Sequence, residues 1–269
     1  MSALDIVIVN FNTREDLLAC LQSLATAPPS RPHHIVVVDN ASIDGSVEAV
    51  RQAFPAVQVI EMGRNAGFAA ANNAGIRATS APLIVLLNSD TIVPAGALDT
   101  LCERLEETGA TAAGPRLLDG QGRPEMSWGR MLTPWGEFLQ QRLVRASTAG
   151  ESGAAEQVRH LTSTEREVEW ISGACLLVRR EAAEGAGLLD ERYFMYEEDV
   201  DFCASLRAHG GTILFTPAAE ITHLRGRATV KLPPQKPSHY DRSHLAFYRK
   251  HAPAWVPVLW LWKKLKGRI

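Results

Sequence analysis

Short, largely apolar runs separated by helical patterns mark the first 115 residues. Each run has four or five residues and suits a strand. The runs are Ile6–Val9, Ile35–Val38, Val57–Ile60 and Leu83–Leu87. Between them, apolar side chains recur at the spacing of one helix face, as at Leu17, Leu18, Leu21 and Leu24. This alternation predicts an α/β fold in which helices flank a mostly parallel sheet.

The second half of the chain has a different pattern. The polar stretch 145–167 is poor in apolar residues and predicts a mobile loop. A strand is predicted over Val168–Val178, interrupted by Ser172–Ala174, since a glycine within a strand often marks a bulge or a closely approaching ligand. The acidic run Glu197–Asp201 is predicted to form the first turn of a helix, and Thr212–Phe215 another strand.

Composition narrows the class of protein. The chain has 269 residues, 46% of them hydrophobic and 22% charged, with a formal net charge of −2, so there is no electrostatic case for a nucleic-acid partner. The four cysteines are far apart and predict reduced core residues rather than disulfides. A strand pattern begins at Ile6 with no signal peptide before it, and no apolar run reaches about 18 residues. These features predict a cytoplasmic protein.

The C-terminal segment combines tryptophans with basic residues. Trp255, Trp260 and Trp262 precede a cluster formed by Lys263, Lys264, Lys266 and Arg268. Such a segment suits peripheral contact with an anionic membrane surface, at the inner face of the cell membrane. A terminal helix packed on the domain, with solvated basic residues near its C-terminus, explains the same pattern. Both interpretations stay open at this point.

Polar residues end the most apolar run. Asn88, Ser89 and Asp90 follow Leu83–Leu87 directly. Ligands of open α/β sheets bind at the carboxyl ends of strands, where a carboxylate can hold a hard divalent cation against a diphosphate. Alternatively, Asn88 and Asp90 cap a turn before Pro94.

Seven segments taken in order resemble the inverting glycosyltransferases of family 2. They are Val7–Asn12, Val38–Ser46, Asn65–Asn73, Leu87–Asp90, Gly173–Ala174, Leu189–Glu191 and Tyr196–Asp201. Within that family the chain is most similar to the bacterial rhamnosyltransferase-like branch, which builds cell-wall and surface polysaccharides. The resemblance implies a GT-A fold, which is Rossmann-like, over residues 1–230. Residues 1–115 would form the nucleotide-sugar half, 116–230 the acceptor-binding half, and 231–269 a C-terminal helical tail.

The resemblance also implies a metal site. Asp90 matches the last position of a DxD-like motif whose first aspartate is Asn88 here, so one strong anionic ligand would hold Mg²⁺ or Mn²⁺. His223 matches the histidine of a second motif and is the other candidate ligand, although a lone histidine is more often structural. That motif ends in Ala228 where the family has serine. Arg225 and Arg227 could bind phosphate through paired hydrogen bonds.

Further residues are implied to bind the nucleotide-sugar. Asp39 ends the second strand, at the family's base- or ribose-binding position, but an Asx-turn before Ser42 would also explain it. The other residues assigned to the nucleotide-sugar are Asn10, Asn12, Asn65, Asn88, Ser89 and Asp90.

Asp199 matches the family's catalytic base, with Glu198 as the alternative. A carboxylate can take the proton of the acceptor hydroxyl as it attacks the anomeric carbon. The helix macrodipole by itself would also favour acidic residues in a first turn. Gly173, Ala174 and Tyr196 are assigned to the acceptor wall.

The expected reaction is therefore inverting, metal-dependent transfer from a nucleotide-diphosphate sugar, with dTDP-rhamnose as a candidate donor. The acceptor would be a saccharide or a lipid-linked hydroxyl. A sugar-nucleotide nucleotidyltransferase would need a glycine-rich phosphate loop after the first strand, where Asn10–Arg14 contains no glycine. A catalytically silent nucleotide-sugar-binding protein would lack the base, but Asp199 is present.

Overall fold

The computed structural model describes residues 1–224 and 238–269. Four parallel strands form its N-terminal half, in the order β3-β2-β1-β4. Their bounds are β1 (Leu4–Asn10), β2 (His33–Asp39), β3 (Gln58–Glu61) and β4 (Leu83–Asn88). Helices α1 (Arg14–Thr26), α2 (Ser46–Ala53) and α3 (Phe68–Arg77) connect them. The four predicted strands are confirmed.

The second half extends the same sheet with mixed strand directions. The elements of this half are β5 (Thr91–Ile92), α4 (Ala97–Thr108), β6 (Ala112–Leu118), β7 (Trp128–Gly129), β8 (Arg166–Val168), β9 (Trp170–Ile171), β10 (Cys175–Arg179), α7 (Arg180–Gly185), α8 (Glu198–Ala208) and β11 (Ile213–His223). β7 and β9 pair with each other in a separate two-stranded sheet. The order continues from β4 through β10, β6 and β11 to β5, and β8 pairs with β11. β10 is antiparallel to β4 and β6, whereas β11 is parallel to β6.

Two apolar layers cover the sheet because successive side chains of a strand point to opposite faces. Ile6 and Ile8 pack with α1 and α4 on one face, whereas Val7 and Val9 pack with α3 and α8 on the other. All four cysteines are buried and free, as predicted.

The prediction of a mobile loop over 145–167 is wrong. Two helices, α5 (Pro134–Thr148) and α6 (Ser152–Leu161), occupy most of this stretch and pack on each other. No residue of α5 is buried, and Val158 is the buried residue of α6. The predicted loop begins inside α5, so apolar positions of that helix such as Leu139 and Leu143 lie before it, and polar residues with Gly150 and Gly153 dominate what remains. The predicted strand over Val168–Val178 is β8, β9 and β10, with its interruption at Ser172–Ala174 confirmed.

The C-terminal tail is helical, with α9 (His239–His251) and α10 (Val256–Leu265) joined by a short 3₁₀ turn. α10 packs through Leu259 and the fully buried Lys263, whose ammonium donates to Asp241 at 2.7 Å. Trp260 and Trp262 of α10, with Trp255 in the 3₁₀ turn before it, stay 44–47% exposed. The tail is thus packed and also presents an aromatic surface. Among the described residues, no helix is long and apolar enough to cross a membrane.

Candidate functional site

A cleft of about 520 Å³ opens at the carboxyl ends of β1 and β4. Its walls come from these strand ends, the start of α3, the loop before β10 and the start of α8. Of the residues predicted for the site, it is lined by Asn65, Asn88, Ser89, Asp90, Gly173, Ala174, Tyr196, Glu198, Asp199 and His223. Residues of both halves of the chain therefore meet in one cavity.

Asp90 and His223 lie together on one wall. His223 Nε2 is 3.3 Å from Asp90 Oδ1 and 3.4 Å from Asn88 Nδ2, and both His223 and Asp90 are largely buried. Burial would lower the pKa of His223, but hydrogen bonds and charges from Asp90 and Glu125 outweigh it and raise the pKa to about 9. The motif pattern gave no sign of Glu125, which approaches His223 Nδ1 to 3.7 Å.

The atoms at this wall fit a divalent cation. Asn88 Oδ1 is buried without a hydrogen-bond partner among the described residues. It is a neutral oxygen that could serve as a third candidate ligand, beside the Asp90 carboxylate and the His223 imidazole. Oxygen ligands with one imidazole suit Mn²⁺, and Mg²⁺ accepts the oxygen ligands with water in the remaining positions.

Asn10, Asn12 and Asp39 lie behind the cleft and do not line it. Asp39 is buried, and its carboxylate accepts from Asn10 Nδ2 at 2.9 Å and from the Ser42 N–H at 2.8 Å. The Asx-turn proposed for Asp39 therefore exists. Asn12 Oδ1 accepts from the Ile43 N–H at 2.8 Å. These bonds tie the loop after β1 to the loop after β2.

Asn40 organises the start of α3, a role that the sequence did not indicate. Its side-chain Nδ2 donates to Asn65 Oδ1 at 2.9 Å, and its side-chain Oδ1 accepts from the Ala66 N–H at 2.8 Å. Both Asn40 and Asn65 border the cleft. Arg225 and Arg227, the predicted phosphate ligands, lie outside the described residues.

Asp199 is held by backbone donors. Its Oδ2 accepts from the Gly173 N–H at 2.8 Å, and its Oδ1 accepts from the Val200 N–H at 2.9 Å. Burial raises the pKa of Asp199 despite these bonds, which favour the ionised form. The side chain is partly exposed to the cleft.

Glu198 differs from Asp199 in its environment. Its Oε2 is buried with no hydrogen-bond partner among the described residues. Burial, with the charges of Asp199 and Glu197, raises the pKa of Glu198 well above its usual range. Asp199 accepts two backbone hydrogen bonds that favour its ionised form, whereas Glu198 Oε2 has no donor among the described residues, so this geometry favours Asp199 as the base.

The other acidic residues of this run have separate surroundings. Asp201 is buried and accepts from Lys250 Nζ at 2.8 Å, which ties α8 to α9. Burial and the charges of Glu137 and Asp199 raise the pKa of Glu197 to about 8. The helix macrodipole of α8 therefore does not by itself explain all the acidic residues within Glu197–Asp201.

The loop before α8 approaches α3 very closely. The Phe68 N–H donates to Phe194 O at 2.7 Å, beside Gly67, which has a φ of +91°. A Cβ on Gly67 would lie 2.5 Å from Phe194 O. Gly67 thus permits the contact that brings α8 and Asp199 to the cleft. Tyr240 of α9 also lines the cleft, so the tail contributes to the site.

Residues 5–183 match the family model described as glycosyl transferase family 2, and the chain belongs to that family. The resemblance found in the sequence is confirmed. The protein is therefore a glycosyltransferase.

Two relatives make the similarity more specific. The N-acetylglucosaminyl-diphospho-decaprenol L-rhamnosyltransferase of Mycobacterium tuberculosis is 29% identical, over 96% of this chain and 88% of its own. The low-salt glycan biosynthesis hexosyltransferase Agl10 of Haloferax volcanii is 26% identical, over 76% of this chain and 61% of its own.

Solved structures confirm the predicted fold. GalNAc-T7 with UDP, GalNAc and Mn²⁺ has a TM-score of 0.67 at 16% identity, covering 95% of this chain and 50% of that chain. Staphylococcus aureus TarS (residues 1–349) with UDP-GlcNAc has a TM-score of 0.62 at 14% identity, covering 92% of this chain and 65% of that one. At such identities the likeness establishes the fold, which is GT-A.

Replacing Gly67 tests the close approach to Phe194. Gly67→Ala places a Cβ against a backbone oxygen and disfavours the positive φ, so we expect a loss of roughly 1–3 kcal/mol in unfolding free energy. Displacement of α8 should also lower the turnover rate. Gly63→Ala is the matched control, because Gly63 has a φ of +69° but nothing within 4 Å of a Cβ. Urea unfolding and a transfer assay compare the two, and equal effects would contradict the role assigned to Gly67.

Proposed function

We propose that this glycosyltransferase transfers L-rhamnose from dTDP-rhamnose, with inversion, to a lipid-linked saccharide acceptor of surface polysaccharide synthesis. The observation that carries the proposal is that the Asp90–His223 wall and Asp199 face one cleft. The 29% identity to a mycobacterial rhamnosyltransferase, whose name specifies a lipid-diphosphate acceptor, supports the substrate class.

We assign donor binding to the nucleotide half, residues 1–115. Asn65, Asn88, Ser89 and Asp90 border the cleft and would contact the diphosphate sugar. Asp39, Asn10 and Asn12 would act near the base and ribose, where the Asn10–Asp39 bond and the bond from the Ile43 N–H to Asn12 position the two loops. Arg225 and Arg227 are proposed phosphate ligands.

Asp90 and His223, with Asn88, would hold a divalent cation, Mn²⁺ or Mg²⁺. The cation, when bound, would stabilise the negative charge that grows on the departing diphosphate. The charges on the described lining of the cleft support the proposal of a bound cation. It carries Asp90, Glu197, Glu198 and Asp199 but no lysine or arginine, so an anionic donor meets carboxylates there.

Asp199 is the proposed general base. It takes the proton of the acceptor hydroxyl while that oxygen bonds to the anomeric carbon, and the bond to the diphosphate breaks with its electron pair leaving on the diphosphate. The N–H groups of Gly173 and Val200 hold the carboxylate in place. One displacement inverts the anomeric configuration. Gly173, Ala174 and Tyr196 would form the acceptor wall of the second half, residues 116–230.

We also propose that α10 rests on an anionic membrane surface, where a lipid-linked acceptor would lie. Trp255, Trp260 and Trp262 are each nearly half exposed. Lys264 and Arg268 lie within 6 Å of tryptophan rings, 4.8 Å from Trp260 and 5.8 Å from Trp262. Aromatic rings beside cationic groups match the headgroup region of an anionic bilayer.

Asp199→Asn keeps the size of the side chain but cannot accept a proton. We expect the turnover rate to fall by ~10²–10⁴-fold while donor binding is retained. Glu198→Gln is the matched control and should lose far less, because burial raises the pKa of Glu198 and disfavours the ionised form that a base requires. A near-normal rate for Asp199→Asn together with a collapse for Glu198→Gln would move the role to Glu198.

Asp90→Ala should abolish the stimulation of donor binding by Mn²⁺, and His223→Ala should reduce it in part. The reason is that Asp90→Ala removes the anionic ligand, whereas His223→Ala removes only the imidazole. Calorimetric titration of the nucleotide-sugar with and without Mn²⁺ measures the effect. Asp119→Asn, which removes a carboxylate that pairs with Arg123 away from the cleft, is the control. Metal-dependent binding that survives in Asp90→Ala would show that Asp90 only caps a turn.

The double variant Trp260→Gln/Trp262→Gln tests the membrane contact. Deleting the tail would remove the buried Lys263–Asp241 pair and disturb the fold, whereas these two side chains are exposed. We expect vesicles rich in anionic lipid to bind the variant at least tenfold more weakly. Trp135→Gln on α5, where the ring is 69% exposed, is the control. Equal vesicle binding by the double variant and the parent protein would contradict the proposal.

A further inference from the structure

Three side chains from distant parts of the chain converge beside the acceptor wall. They are Glu137 of α5, Glu197 just before α8 and His244 of α9. One nitrogen or oxygen atom of each lies within 4.8 Å of the others. Neither the sequence motifs nor the mechanism above gives this cluster a role.

Two members of the cluster are already held in place. His244 Nε2 lies 3.0 and 2.9 Å from the two carboxylate oxygens of Glu137. The Tyr248 hydroxyl donates to Glu137 Oε2 at 2.9 Å. The His244 ring also stacks on Tyr240, with ring centroids 5.3 Å apart. These contacts fix Glu137 and His244 relative to each other.

Glu197 is the unsatisfied member. It is 8% exposed, and its carboxyl group makes no hydrogen bond or ion pair with the described residues. His244 Nδ1 is likewise buried without a partner among them. The nearest opposing charge, on Lys263, is engaged by Asp241 at 2.7 Å. A bound cation would offset the cost of burying the ionised carboxyl group of Glu197 without a partner.

We propose that Glu137, Glu197 and His244 form a second divalent-cation site, distinct from the wall formed by Asp90 and His223. One imidazole and two carboxylates suit Mn²⁺ or Zn²⁺. Two ligand atoms that share such a cation are about 3.0–3.4 Å apart, given metal–ligand bonds of about 2.1 Å. The spacing of Glu137 and His244 agrees with this value, and a short movement of Glu197 completes the set.

The position of the site gives the cation a role. Glu197 borders the cleft beside Tyr240 and precedes Asp199 by two residues. Coordination positions left open by the three residues would face the acceptor side, where they suit the phosphate oxygens of a lipid-diphosphate acceptor. This role rests on the function proposed above, whereas cation binding itself does not.

The test disables the proposed Asp90–His223 site by substitution and measures cation binding at the site formed by Glu137, Glu197 and His244. Mn²⁺ is titrated by calorimetry into the nucleotide-free, full-length Asp90→Asn variant, and we expect one ion to bind per chain. The double variant Asp90→Asn/Glu197→Gln should bind Mn²⁺ at least tenfold more weakly than Asp90→Asn does. Asp90→Asn/Glu156→Gln is the matched control, since Glu156 is exposed on α6, and should bind as Asp90→Asn does. The same titrations with Zn²⁺ identify the preferred ion.

Thermal unfolding gives a second readout. Saturating Mn²⁺ or Zn²⁺ should raise the melting temperature of Asp90→Asn but not that of the Glu197→Gln double variant, because a ligand stabilises only the state that binds it. If Glu197→Gln does not fold, Asp90→Asn/His244→Gln takes its place. Absence of binding by Asp90→Asn, or equal binding by the two double variants, would overturn the proposal. Failure of the proposed sugar transfer would appear only in the transfer assay.

Discussion

The antiparallel pairing of β10 with β4 is the constraint on which the site depends. Cys175 lies opposite Leu87 in this pairing, and the Asn88 N–H donates to Ala174 O at 3.0 Å. Asp90 follows one strand, and Gly173, which binds Asp199, precedes the other. The strand pair thereby joins the proposed leaving-group site to the proposed base, although more than a hundred residues separate them in the chain.

Local patterns in the sequence were enough for the N-terminal half. Apolar runs that are buried on both faces leave a strong signal, and polar residues at their ends fall at one edge of a parallel sheet. The prediction therefore placed Asn88 and Asp90 correctly at a cleft. The prediction failed for 145–167, because that stretch begins inside α5, after the apolar Leu139 and Leu143, and because α6 buries little besides Val158.

Contacts made by tertiary packing could not be predicted. Glu125 reaches His223, and Tyr240 reaches the cleft, only because separate segments fold over the strand ends. Neither residue stands in a motif. The same holds for Glu137 and His244, which no spacing in the chain relates to Glu197. The sequence indicated where the proposed donor side lies, but the proposed acceptor side depends on packing between α5, α8 and α9.

Surplus negative charge is the common feature of the cleft. Four carboxyl groups line its described part, and burial raises the pKa of three of them, Glu197, Glu198 and Asp199. A raised pKa for Glu198, beside an Asp199 held by backbone N–H groups, gives two adjacent acids different environments, and we assign the base to Asp199. The same surplus of negative charge is why we propose bound cations for an anionic donor.

The central claim is that one base and one leaving-group site carry out a single displacement. The anomeric configuration of the product, determined by nuclear magnetic resonance against that of the donor, tests it most directly. The account predicts inversion at the anomeric carbon. A product that retains the configuration of the donor would contradict the account, because a single displacement from the face opposite the leaving group inverts the anomeric carbon.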